Sequence, residues 1–124
     1  MHPRFFLAPV AAALTVLTFS APASAQSADL HADLLALRRE VNQNRIAVAR
    51  VVRVNDRCET PDPDEIVALM ATANALSRRA SAIAPRVAAR DHVLALGLAE
   101  QAETSYVHLR FLEAPDICYV PPAE

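Results

Sequence analysis

Lysine and tryptophan are absent from this sequence, glycine occurs once (Gly97), and there are only two cysteines. Each shortage removes a class of chemistry. A single glycine cannot build a glycine-rich phosphate loop or a G-x-S-x-G nucleophile elbow. Cys58 and Cys118 stand sixty residues apart, so the chain has neither a C-x-x-C redox pair nor a haem-attachment pattern. His31, His92 and His108 are never four apart as H-E-x-x-H requires, and the paired E-x-x-H motifs of diiron bundles are missing. The acidic stretch "DRCETPDPDE" lacks the ligand ladder and glycine of a calcium loop. No catalytic residue, metal ligand or cofactor is therefore assigned. With lysine absent, every basic side chain is arginine, which in an alanine-rich chain reflects a GC-rich genome more readily than a function. Alternating β-branched residues are scarce as well, leaving helices punctuated by proline as the natural reading.

What is present begins with a leader. Arg4 precedes the apolar run "FFLAPVAAALTVLTF", and Ala23–Ala25 forms a small-residue cleavage site of the A-x-A kind. The run falls short of the roughly 20 apolar residues that span a bilayer, and it contains Pro9. No cysteine follows it, so no lipoprotein anchor is indicated. The expectation is a signal peptide over residues 1–25, cleaved near Ala25. The mature chain, 26–124, is then a single exported domain in the periplasm or outside the cell. Without Arg4, eleven arginines face fourteen acids. That balance carries no global basic excess for nucleic acid and no polybasic tail for a membrane surface.

The mature region reads as an all-α, small antiparallel three-helix bundle in up-down-up order. Leu30, Leu34, Leu37, Val41, Val48 and Val51 recur at spacings of three, four or seven and predict a first helix over about 29–55. Ser27 or Asp29 would cap it. Asn44 falls in that stripe, either as a partly exposed residue or as a buried polar group that fixes register. Asp62, Pro63 and Glu65 form a helix start signal for a second helix over about 63–83. Its stripe is Ile66, Leu69, Ala73, Leu76, Ala80, Ile83 and Val87. Pro85 disfavours helical geometry at Ala84, so a turn there is favoured over a kinked continuation to about Arg90. A third helix over about 86–113, with Asp91 as its only good cap, ends before Pro115. A tail over 114–124 follows.

Up-down-up order places the end of the first helix and the end of the third at one end of the bundle. Cys58 follows the first and Cys118 the second, so a single structural disulfide between them is expected in an exported protein.

Two surface features remain after the core is assigned. The five arginines of the first helix and Arg57 just after it gather on one half, beside and opposite the apolar stripe, and Leu35 and Ile46 lie among Arg39, Arg50 and Arg53. A solvated face explains the arginines; an anionic or acidic partner also explains them, since guanidinium pairs well with carboxylate. The third helix carries a core stripe of Leu94, Leu98, Ala102, Leu109 and Leu112, and a second stripe of Val93, Leu96, Val107 and Phe111 with Glu100 and Glu103 among them. Bent packing, a folded-back tail or a partner would each cover that second stripe. The function expected from these features is non-enzymatic interaction with a protein partner or with a second copy. An antiparallel pairing would set Arg39, Arg50 and Arg53 against Glu100 and Glu103. The alternatives are a chaperone for unfolded clients and a helical enzyme that clamps a dicarboxylate with arginines.

Overall fold

The computed structural model describes residues 23–112, and three helices account for most of them: α1 (Ala23–Asp56), α2 (Pro63–Ile83) and α3 (Ala89–Arg110). The 3-4 spacing of the sequence sets the faces they bury. Leu34, Leu37 and Val41 of α1 are fully enclosed, and Leu30, Val48 and Val51 are nearly so. Burying each such side chain is worth about 1.5–3 kcal/mol, more than the helix could gain from backbone propensity alone.

Contacts at both ends fix the topology. His31 of α1 meets Asp91 at the start of α3, while Val51 and Leu109 share a cluster at the other end. Helices α1 and α3 thus run in the same direction. Ile66, early in α2, joins the Val51 cluster, and Leu76, Ala80 and Ala84 pack beside Leu34 and Leu37, so α2 runs opposite to both. The bundle is all-α, as the stripes predict. Helices α2 and α3 form its closest pair. Ala73, Ala80 and Ala84 on one and Ala95 and Ala102 on the other are all buried, so the backbones approach without a large side chain between them.

Two apolar clusters make up the core. One holds Leu34, Leu37, Val41, Leu76 and Leu98, the other Val48, Val51 and Leu109 with Leu69 and Met70 packed against them. Asn44 lies between Val41 and Val48 on the α1 stripe. It is only 4% exposed, which corrects the reading of a partly exposed residue. Its Nδ2–H donates to the Leu69 carbonyl of α2 at 3.4 Å, and its Oδ1 is buried without a partner.

The corner after α1 is closed by backbone hydrogen bonds. The Cys58 N–H donates to Asn55 O at 2.9 Å and the Glu59 N–H to Val54 O at 3.2 Å, the paired bonds of a Schellman cap. Cys58 occupies its left-handed position at φ 63°, where glycine is the usual residue. At the other end of α1, Ser27 and Asp29 do not cap it, because the helix already begins at Ala23.

Helix α2 starts where its proline requires. Pro63 takes the first helical position, where no N–H is missed, and the Asp64 N–H donates to Asp62 Oδ1 at 2.9 Å. The reciprocal half of a capping box is not made; Glu65 accepts from Arg50 Nη2 at 3.1 Å instead. Replacing Asp62 by alanine is expected to cost about 1 kcal/mol, read as a lower urea midpoint with unchanged slope.

Pro85 sits in a single 3-10 turn, Ala84–Arg86, that ends α2. Val87 and Ala88 are then extended, and α3 begins at Ala89, three residues later than the predicted start at 86. Ala89 has φ 53°, a left-handed geometry that alanine adopts at a cost of about 1–2 kcal/mol. Asp91 does not cap α3, whose capping residue Ala88 offers no side-chain acceptor. His92 stabilises the corner in its place. Its Nδ1 lies 2.7 Å from Ala84 O, and since a carbonyl only accepts, that nitrogen carries the proton. Helix α3 ends at Arg110, with a shorter-range bond from the Leu112 N–H to Leu109 O. The predicted end at Glu113, the tail over 114–124 and Cys118 lie outside the described residues, as does most of the leader.

Candidate functional site

Packing against α2 and α3 splits the arginine half of α1 into two flanks. Toward α2, Arg50 Nη2 pairs with Glu65 Oε1 at 3.1 Å, and Glu40 Oε2 accepts from Arg79 Nη1 at 2.8 Å. Arg57 Nε pairs locally with Glu59 Oε1 at 3.3 Å. These are exposed pairs, each worth about 0–1 kcal/mol. On the α3 flank His31 meets Asp91 at one end, and the charges further along are unmatched. Among the described residues, Arg45 and Arg53 of α1 and Glu100 and Glu103 of α3 take part in no ion pair. Arg53 donates from Nε only to Ala49 O of its own helix, at 3.4 Å.

Between these charges lies a groove of about 820 Å³. Arg45, Val48, Ala49, Val52 and Arg53 form its α1 wall; Gly97, Glu100, Gln101, Thr104, Ser105 and His108 form its α3 wall. Its floor is apolar and its two rims carry opposite charge. Shallower depressions continue it past Asn42 and Ile46 on one side and past Glu103 and Val107 on the other. Gly97, the chain's one glycine, opens onto this groove, and a Cβ built there would meet nothing within 4 Å. A glycine in a helix interior costs about 1 kcal/mol relative to alanine, and packing within the monomer does not require it.

The second stripe of α3 faces solvent. Val93, Leu96, Val107 and Phe111 are 69%, 50%, 42% and 66% exposed, and Ile46 on α1 is 68% exposed. Arg110 packs over the Phe111 ring at 5.5 Å from its centroid, a cation–π contact at the end of the stripe. The residues singled out by sequence therefore divide. Ile46, Arg53, Glu100 and Val107 line the groove or its margins. Val93, Leu96 and Phe111 extend the same side of α3. Leu35 is half-buried, Arg39 is exposed and unpaired, and Arg50 is turned to α2. Arg45, Gly97, Gln101, Thr104 and His108 were not singled out for this face. The isolated glycine was the one sequence signal that could have drawn attention to it. Val67 of α2, 66% exposed, is a further apolar residue that the stripes did not flag.

Two arginines border the groove, and the groove is open to solvent. Among the described residues no group of three or more His, Cys, Asp or Glu side chains could hold a metal ion. Among the same residues no helix is long and apolar enough to cross a membrane. No family model, curated protein or solved structure matches the chain.

Proposed function

We propose that this chain is an exported, disulfide-tied interaction module that binds a protein through the α1/α3 face, without catalysis. The observation that carries the reading is the exposed apolar stripe of α3 beside a groove whose opposite rims hold unpaired arginines and glutamates. Ordinary monomer surfaces scatter single apolar residues, whereas apolar residues running along one helix beside a groove mark an interaction site. The rims add directional charge, which sets register and suppresses wrong partners. The partner is a protein rather than nucleic acid or lipid, because the rims carry both signs and the chain has no basic excess.

The leader supports export to the periplasm or beyond, and the disulfide is the natural companion of that compartment. Support for the Cys58–Cys118 bond comes from topology: the ends of α1 and α3 meet at one end of the bundle, where Leu112 packs beside the Val51 cluster. Among the described residues no cysteine is free.

The test is a double substitution, Leu96→Asp with Val107→Asp, on two residues that lie outside the core. Far-UV circular dichroism and the unfolding midpoint are expected to stay within about 0.5 kcal/mol of the parent. Binding, measured as complex formation in periplasmic extract or as self-association, is expected to be lost. Retained binding in the folded variant would remove this face from the proposal. Suppressed aggregation of several unrelated clients would instead favour a chaperone.

A further inference from the structure

We infer that the occupant of the α1/α3 face is a second copy of this chain, in a two-fold dimer whose axis runs along the bundle, so that α1 of each protomer lies on α3 of the other. This rests on the interaction-module reading above and names its partner. Three observations carry it.

The first is charge. The α1 rim of the groove carries Arg45 and Arg53; the α3 rim carries Glu100 with His108, and Glu103 lines the adjoining depression. Such a face is its own complement, but only in one orientation. A two-fold axis along the bundle exchanges the rims and lays Arg45 against the partner's acidic rim. A two-fold axis across the helices lays α1 on α1 and sets arginine against arginine, which like-charge repulsion opposes. The antiparallel pairing expected from sequence is replaced by a parallel one.

The second is level. His31 meets Asp91 at one end of the α1/α3 pair, and Val51 meets Leu109 at the other. Arg45 of α1 accordingly stands level with the turn of α3 that holds Glu103. A two-fold axis along the bundle leaves heights unchanged, so Arg45 of one copy and Glu103 of the other come together without a slide of the helices. Ile46 and Val107 are brought to similar heights by the same operation.

The third is Gly97. It lies mid-helix on the groove wall, with no monomer atom near the position of a Cβ. Close approach of another chain explains an open glycine that intramolecular packing does not. The face is also of sufficient size. Helix α3 has 22 residues, about 33 Å of length. Two neighbouring helices give a width of roughly 20 Å, close to the ~800 Å² per partner of a standard interface.

The experiment combines light scattering with charge reversal and crosslinking on the full exported chain. The parent is expected to be a dimer. Arg45→Glu and Glu103→Arg should each weaken association at least tenfold, and the two together in one chain should restore it. Gly97→Ala should raise the melting temperature by about 4–8 °C while weakening association, a divergence that a purely structural glycine would not give. For orientation, Ile46→Cys and Val107→Cys proteins are mixed and treated with a short bismaleimide. Crosslinks between the two variants support the parallel dimer, and Ile46→Cys crosslinking to itself overturns it. A parent that stays monomeric at high concentration also overturns the dimer. In that case the Leu96→Asp and Val107→Asp comparison decides separately: a partner bound by the parent and lost by that variant leaves the interaction module standing, and no bound partner removes it.

Discussion

Replacing Cys58 by serine, or reducing the protein, is expected to lower its stability by roughly 4 kcal/mol. On the chain-entropy view a cross-link between Cys58 and Cys118 closes a loop of about sixty residues in the unfolded chain. The folded state would lose little without such a bond, since the ends of α1 and α3 are held together by Val51, Leu109 and Leu112. The effect is large against the ~5–15 kcal/mol that stabilise a domain of this size. Thermal unfolding with and without reductant measures it, and a midpoint that does not move on reduction would remove the disulfide. The position of Cys58 permits a sharper test. Its backbone is left-handed at φ 63°, so any residue but glycine carries a conformational cost there of about 1–2 kcal/mol. Cys58→Gly should therefore be more stable than Cys58→Ala by about 1 kcal/mol, although both lack the sulfur. A cysteine held where glycine would be easier is itself an argument that the sulfur is used.

Much of this fold is legible in the sequence because its strongest signals are local. The α2 start follows from Asp62 and Pro63, whose cap and fixed φ act within one turn. The buried face of α1 follows from 3-4 spacing, since a side chain's angular position on a helix depends only on its residue number. On α3, Leu98, Ala102 and Leu109 are buried as that spacing predicts, whereas Leu94 and Leu112 are half-buried and Ala95 and Ser105 are buried instead. What is not legible depends on the neighbouring helix. A helical wheel places five arginines on one half of α1 but does not say which flank meets α2. The placement of α2 and α3 around α1 decides that Arg50 is paired with Glu65 while Arg45 is left unpaired over the groove. The depth of Asn44 has the same origin, because its burial comes from Leu69 of α2 rather than from anything in its own helix. Asp91 shows the reverse failure. Its local pattern suggested a cap, but His31, sixty residues earlier, lies 3.0 Å away and takes the carboxylate. The candidate face was half legible for these reasons: its apolar residues are a helical stripe, while its charge pattern is a product of packing.

Asn44→Leu is expected to raise stability by about 1–2 kcal/mol, and the melting temperature by about 4–8 °C per kcal/mol. Leucine repeats the branching of asparagine at Cγ and replaces both polar atoms with methyl groups. What is lost is one hydrogen bond to Leu69 O, long at 3.4 Å, with a net worth of about 0.5–1.5 kcal/mol. What is gained is release from burying Oδ1 without a partner, about 1–3 kcal/mol, together with apolar contact between the Val41 and Val48 clusters. Asn44→Ala should go the other way, since it leaves a cavity as well as losing the bond. The midpoint of urea unfolding at constant slope checks both. A loss of stability in the leucine variant would mean that Oδ1 has a bonding partner in solution. If the gain is observed, the persistence of asparagine needs another reason, and the geometry supplies one. Its amide is a polar link between the buried faces of α1 and α2, and it resists a slide of one helix along the other. Such a slide would move Arg45 out of level with Glu103. The polar residue in the core would then serve the charge register of the outer face, at some expense in stability.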